Sequence, residues 1–70
     1  MSGRERLRKA RTDAGMTQQQ VAEAAGVTLR YYQDIEAGAK LGSIAVWDAL
    51  EDLFSIHQRD LRRRGQEGSR

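Results

Sequence analysis

The side chains between residues 28 and 37 could take part in recognition if this segment forms a helix. At 100° per residue, one face covers an arc of roughly 140°, made up of Leu29, Arg30, Gln33, Asp34 and Ala37. Tyr31, Tyr32 and Ile35 cluster on the opposite side. A helix with an apolar back and a hydrogen-bonding front suits the major groove of DNA. A solvent-exposed polar face with one stray leucine is the plainer alternative.

Each outward side chain suits a particular base edge. Arg30 could donate twice to guanine, Gln33 could pair with adenine, and Asp34 could accept from cytosine. Leu29 is unexpected on a polar face, and contact with a thymine methyl group would explain it. The segment therefore predicts a helix that reads bases.

The composition gives little support for catalysis, metal binding or membrane insertion. The chain has no cysteine and a single histidine, His57, which excludes disulfides, thiol nucleophiles and metal clusters built on Cys or His. No carboxylate pair or nucleophile is spaced for catalysis, so we expect no enzymatic activity, no metal and no cofactor. No apolar run approaches the roughly 20 residues of a membrane span, and no signal peptide pattern is present. We therefore expect a cytoplasmic protein with no membrane contact.

Charge is unevenly distributed along the 70 residues, although the net charge is only +2. Residues 1–11 carry five basic side chains and one acidic one, and residues 57–70 carry five and two. Residues 41–56 carry three acidic side chains and no basic one. Basic ends around an acidic segment are suited to an anionic partner, and a simply solvated surface is equally consistent with them.

The elements that must position these side chains are separated by glycines. Thr17 and Gln20 form a capping-box pattern at the start of the second helix, and Thr28 and Ser43 are N-cap candidates for the next two. A second capping-box pattern, from Ser55 to Gln58, predicts the start of a short fifth helix. The predicted helices span residues 4–14, 18–25, 29–37 and 44–54, followed by a fifth that begins after residue 55 and frays near residue 65.

Five short helices with tight turns predict an all-α domain. The second and third are joined by one turn centred on Gly26, about the shortest link that lets two helices cross steeply. Ala22 lies where these helices would approach closest. We expect the folded domain to span residues 4–64 and residues 65–70 to be a disordered tail.

The chain resembles the lambda-repressor/Cro-type helix-turn-helix family, also called the xenobiotic-response-element family. The resemblance covers about residues 4–61 and rests on Leu7-Arg8-x-x-Arg11, Gly15-Met16-Thr17-Gln18-x-x-Val21-Ala22 and Gly26-Val27-x-x-x-x-Tyr32-x-x-Ile35-Glu36-x-Gly38. Two positions depart from the family pattern. Gly42 replaces the usual proline before the fourth helix, which loosens that loop. Ala37 replaces a common asparagine, which leaves only a backbone amide for a phosphate contact.

The resemblance implies a compact five-helix DNA-binding domain whose recognition helix, about residues 28–37, lies in the major groove. The implied base contacts are Thr28, Leu29, Arg30, Gln33 and Asp34. The implied phosphate contacts are Gln18, Tyr31, Ala37, Lys40 and Arg11. Three of these residues have an alternative role. Gln18 could be a residue of the capping region with no partner, Tyr31 could pack half-buried against the domain, and Lys40 could be simply solvated. Arg11 and Glu36 match a structural ion pair. The implied dimer interface is Trp47, Leu53, Phe54 and Leu61, and for Trp47 a place in the core stays open.

The sequence thus predicts a sequence-specific transcriptional regulator, acting as a repressor and as a homodimer on a two-fold operator in double-stranded DNA. Such a dimer would place its recognition helices roughly 34 Å apart. One alternative keeps the fold but makes a protein the key partner, as in an antitoxin or a restriction-system controller. That partner would be a toxin or an anti-repressor. Another alternative is a protein-interaction module that never binds DNA.

Overall fold

Five α-helices follow one another in a computed structural model, which describes residues 3–62 except for the side chains of Gln58 and Arg62. Among the described residues there is no strand, so the predicted all-α class is confirmed. The helices are α1 (Glu5–Asp13), α2 (Gln18–Ala25), α3 (Leu29–Ala37), α4 (Ile44–Phe54) and α5 (Gln58–Arg62).

Side-chain caps begin three of these helices where the sequence predicts them. Thr17 Oγ1 accepts from the backbone N–H of Gln20 at 3.1 Å, and Gln20 Oε1 accepts in return from the Thr17 N–H at 2.9 Å. Thr28 and Ser43 each accept from the N–H of the third residue along, at the starts of α3 and α4. These caps satisfy donors that a helix leaves unpaired in its first turn, so local sequence is enough to fix where each helix begins.

The predicted start of the fifth helix is wrong. Ser55 does not cap α5 but ends α4, with a left-handed φ of 57° and its N–H donating to the Glu51 carbonyl at 2.7 Å. The residue immediately before α5 is His57, and its Nδ1 accepts from the backbone N–H of Arg59 at 3.0 Å. An N-cap residue needs an extended backbone, and Ser55 is in the left-handed conformation that ends α4, so it cannot cap α5 as well.

Some predictions concern parts of the chain outside the described residues. These are the continuation of the fifth helix beyond residue 62 and the tail at residues 65–70.

The core lies between the helices and is built from apolar side chains of all four longer helices together with one residue of α5. Val21 and Ala22 of α2 are both fully buried in this core. The placement of Ala22 at the closest approach of α2 and α3 stays a prediction. The buried apolar residues are Leu7, Ala10, Val21, Ala22, Tyr32, Ile35, Val46, Trp47, Leu50 and Leu61.

Two residues predicted to form a dimer interface belong to this core instead. Trp47 is 1% exposed and Leu61 is 0% exposed, so neither offers side-chain surface to a second copy. We correct the prediction for these two residues. Leu53 is 37% exposed and Phe54 is half-buried, so both remain accessible on α4.

Arg4 is an unexpected member of the interior. It is 2% exposed, and its Nη1 donates to the carbonyl of Ile35 at 2.6 Å and to that of Lys40 at 2.9 Å. Its guanidinium lies 5.3 Å from the centroid of the Trp47 ring. A cation at the carbonyl end of a helix is favourable, so Arg4 holds the end of α3 against the body of the domain.

Candidate nucleic-acid interface

The outward face of α3 is the surface that the sequence predicts to read DNA. Tyr32 and Ile35 are fully buried beneath it, while Thr28, Arg30 and Ala37 are exposed. The other outward residues are half-buried, namely Leu29, Gln33 and Asp34. Because the back of α3 is packed into the core, its front is held rigidly with donors and acceptors pointing away from the domain.

Asp34 lies between two cations on this face. Its Oδ1 is 3.2 Å from Arg30 Nε, and its Oδ2 is 3.6 Å from Lys40 Nζ. Arg30 is 83% exposed beyond this contact, and its terminal nitrogens are left to approach a guanine edge in the paired manner that the sequence predicts. Asp34 therefore holds Arg30, and a cytosine would compete with both cations for the carboxylate.

Gln18 connects the first turn of α2 with α3. Its Nε2 donates to Glu36 Oε1 at 2.8 Å, and its Oε1 accepts from Gln33 Nε2 at 3.2 Å. The sequence predicts a phosphate contact for Gln18 but neither of these two hydrogen bonds. Sequence reasoning missed them because they join residues 18 and 15 positions apart across the turn, and no local pattern signals them.

Glu36 is the centre of a buried polar cluster. Its Oε2 accepts from Arg11 Nε and from the Tyr32 hydroxyl, both at 2.8 Å, and its Oε1 accepts from Arg11 Nη2 at 3.3 Å. The side chains of Arg11 and Glu36 are only 14% and 7% exposed. The ion pair predicted between them is thus present and ties α1 to α3.

The protonation states of this cluster follow from its contacts. Burial tends to raise the pKa of the Glu36 carboxyl, but hydrogen bonds from Arg11, Tyr32 and Gln18 outweigh it and lower the pKa below its ordinary value. Burial, followed by the charge of Glu36, raises the pKa of the Tyr32 hydroxyl, which stays protonated and donates. The hydrogen bond to Glu36 likewise raises the pKa of Arg11.

The structure also shows the surroundings of the remaining predicted phosphate contacts. Arg11 Nη1 donates to the Met16 carbonyl at 3.1 Å, so this side chain is committed to the interior. Tyr31 packs half-buried against the core, in line with the alternative of a wall. Ala37 is the last residue of α3, so its N–H is part of the helix. Lys40 is half-exposed beside Asp34, and its phosphate contact stays a prediction, as do those of Arg11, Tyr31 and Ala37.

An open groove of about 300 Å³ runs from the start of α1 to the Gln18 side of α3. Arg8 lies on its α1 wall, with a side chain that is 58% exposed and paired with Glu5. This arginine belongs to the family motif but is not predicted from the sequence as a site residue, because nothing local shows that it faces the same groove as Gln33.

Two further observations bear on other kinds of site. Within residues 3–62, no group of three His, Asp or Glu side chains is placed to hold a metal ion. No helix in the same part of the chain has the length and apolar character needed to cross a membrane.

Comparison with known proteins agrees with the geometry. A family model described as a helix-turn-helix domain matches residues 4–65, which includes all five helices. No curated protein and no solved structure matched the chain. The resemblance inferred from the sequence motifs is confirmed by the family match.

Proposed function

The chain belongs to the helix-turn-helix domain family, and from this we propose that it is a transcriptional regulator that binds specific sequences in double-stranded DNA. The observation that carries the proposal is the outward face of α3. Arg30 and Gln33 present donors and an acceptor there, on a helix whose opposite side is buried. A helix built in this way can enter the major groove and contact base edges with its outward side chains.

We further propose that the protein acts as a repressor and as a homodimer on a two-fold operator. One short helix spans few base pairs, so a single copy would select only a short sequence. Two copies related by a two-fold axis double the length that is read and place two α3 helices in successive major grooves. A dimer bound there would block other proteins from the same stretch of DNA, which is how a repressor acts. The proposal includes no enzymatic activity.

A second candidate keeps DNA binding but adds a protein partner. Leu41 is 67% exposed and Ile44 is 75% exposed, and both lie in the segment that leads from α3 into α4. Contiguous exposed apolar surface marks sites that bind another protein, and two such side chains three positions apart favour a surface of this kind. A toxin or an anti-repressor bound at this surface would make the chain an antitoxin or a restriction-system controller.

The first experiment tests base reading. We would select the preferred operator from a random duplex pool and then compare Arg30→Ala with the wild type on that operator and on a scrambled duplex. Because a paired contact to guanine carries sequence information, the variant should lose about 1–3 kcal/mol per half-site and relax the preference at one base pair.

The control for this experiment is Arg6→Ala, which removes an exposed arginine from the side of α1 that faces α5. It should leave the preferences unchanged. Equal losses by Arg30→Ala on both duplexes, at several salt concentrations, would show that Arg30 grips phosphate. Base reading would then depend on Leu29, Gln33 and Asp34.

A further inference from the structure

The amide of Gln33 can face DNA in two orientations, and the choice decides what it reads. A glutamine amide has an acceptor oxygen on one side and two donor hydrogens on the other, so a half-turn exchanges them. We propose, as an extension of the proposed function, that the buried Glu36 carboxylate sets the orientation of the Gln33 amide through Gln18. Glu36 and Gln18 are then positioning residues that determine base preference at one position.

The first step is the contact between Glu36 and Gln18. An ionised carboxylate only accepts hydrogen bonds, so Gln18 has to turn its NH₂ group towards Glu36 Oε1, and the two atoms lie 2.8 Å apart. The carbonyl oxygen of the Gln18 amide must therefore point the other way. An amide orientation that is ordinarily ambiguous is fixed here by the charge of its neighbour.

The second step carries this polarity to α3. Gln18 Oε1 is an acceptor, so Gln33 has to turn its own NH₂ group towards it, at 3.2 Å. One N–H of Gln33 is used in this contact, and its second N–H and its Oε1 remain for a base. The donor side of the Gln33 amide thus faces α2 and the acceptor side faces away from α2.

The origin of the polarity is held rigidly. Glu36 Oε2 accepts from Arg11 Nε and from the Tyr32 hydroxyl, while Oε1 accepts from Arg11 Nη2. The Glu36 side chain is 7% exposed and both of its oxygens accept hydrogen bonds, so rotating the carboxylate would break these bonds. The arginine of α1 therefore fixes Glu36, and Glu36 orients the two amides in turn.

A fixed order of donor and acceptor has a defined meaning in the major groove. An adenine presents an acceptor at N7 beside a donor at N6, and the order of the two reverses when A·T is replaced by T·A. A Gln33 amide with its donor side held towards α2 matches one order and opposes the other. The expected specificity is for adenine on one strand at the base pair that Gln33 contacts.

The test compares this mechanism with a simple phosphate contact. Loss of a phosphate contact weakens binding to all sequences about equally, whereas loss of a positioning residue changes the preference at one base pair. We would measure binding of the full chain to the selected operator and to duplexes that change one base pair at a time. The variants are Gln33→Ala, Gln18→Met and Glu36→Gln, and the control is Gln19→Met.

Gln33→Ala identifies the base pair that Gln33 reads, where the wild type should discriminate by about five- to 100-fold. Gln18→Met should reduce the discrimination between A·T and T·A at this same pair to about twofold, because the freed amide can turn to match either order. The preferences elsewhere should stay unchanged. Gln19 is the next residue of α2, and its amide contacts only Glu23 in the described structure, so Gln19→Met removes a similar amide without touching the relay. Gln18→Met keeps the contacts of Glu36 with Arg11 and Tyr32, so it provides the test even where Glu36→Gln fails to fold.

A second measurement needs no DNA. In the free protein, the side-chain amide NMR signals of Gln33 should shift in Gln18→Met and in Glu36→Gln, and stay in place in Gln19→Met. Unmoved Gln33 signals, or an equal weakening of all duplexes by Gln18→Met, would overturn the inference and leave sequence-specific binding intact. A wild type that binds operator and scrambled duplex equally, with the Gln33 shifts still observed, would overturn the proposed function and with it the role in base reading.

Discussion

At the scale of single residues, Glu36 is the side chain with the most consequences. Removing a carboxylate from water is costly unless hydrogen bonds and an opposite charge replace the lost solvent. Here Arg11 supplies two of those bonds, and Tyr32 and Gln18 supply one each. The charge of Glu36 is therefore tolerated in the interior, but Glu36 and Arg11 each depend on the other for a counter-charge.

The first prediction on stability follows from this dependence. Glu36→Ala would leave the largely buried guanidinium of Arg11 without its counter-charge, at a cost of about 3–5 kcal/mol. That is a large part of the stability of so small a domain, so the variant should lose its cooperative thermal transition. Glu5→Ala is the matched control, because it breaks an exposed pair with Arg8 that is worth at most about 1 kcal/mol. If Glu36→Ala melted within a few degrees of the wild type, the ion pair would be unimportant to the fold.

The same pair predicts how stability depends on pH. The folded pKa of Glu36 lies below the ordinary value of 4.5, because hydrogen bonds from its partners outweigh the effect of burial. A depressed pKa contributes stability that is fully present above the ordinary value and is lost as the pH falls through the folded value. The free energy of unfolding in urea should therefore decline below about pH 4.5. The decline should be smaller in Glu36→Gln.

Residues differ in how far the sequence could predict them. Arg30 and Gln33 could be placed on the outer face because helical periodicity is a local property. The contact of Gln18 with Gln33 could not be predicted, since it depends on how two helices pack and which rotamers meet. Arg4 was counted with a basic surface, although it is buried at the end of α3, because composition does not reveal which arginine turns inwards.

At the scale of the elements, the starts of α2, α3 and α4 were predictable and the start of α5 was not. Thr17, Thr28 and Ser43 cap helices within three residues of themselves, so the sequence around them contains all the information. Ser55 could either end α4 or begin α5, and local pattern favours the second. The choice depends on where α5 must lie to bury Leu61 against the core, which is a long-range requirement.

The segment between α3 and α4 carries the third stability prediction. Gly42 has a φ of 83°, and a Cβ added there would lie 2.9 Å from Trp47 Nε1 and 3.2 Å from Ile35 Cδ1. A proline, whose φ is fixed near −65°, could not replace it. The glycine thus packs closely against the core, and the loop is tighter than the loss of the family's proline suggested.

We expect Gly42→Ala to destabilise the protein more than Gly15→Ala. Gly15 has a similar φ of 72° but nothing within 4 Å of an added Cβ, so its substitution costs only the backbone strain of about 1–2 kcal/mol. The clash at Gly42 should add about 1–3 kcal/mol. Chemical denaturation of the two variants measures the difference, and equal losses would mean that the Trp47 ring moves aside freely.

At the scale of the whole molecule, burial decides which apolar residues are left for association. Trp47 and Leu61 serve the core, and that core is thin, as expected for 70 residues. Two exposed apolar regions remain in the described structure. One is the last turn of α4, with Leu53 and Phe54, and the other is the pair Leu41 and Ile44.

The last prediction assigns the proposed homodimer to the end of α4. Sedimentation at micromolar concentration should report a species near twice 7.9 kDa. Leu53→Glu should shift it towards a folded monomer, because a carboxylate would face its own copy across a two-fold interface. Ile44→Glu is the control, since it places the same charge on the other apolar region and should leave the dimer intact.

Other outcomes of this measurement point to different assemblies. Dissociation by Ile44→Glu alone would move the interface to the segment between α3 and α4, where we propose a protein partner in the second candidate function. A wild-type monomer at high concentration would contradict the homodimer. Two copies would then meet only on DNA, and affinity for a two-site operator would rise with cooperative binding rather than with preformed pairs.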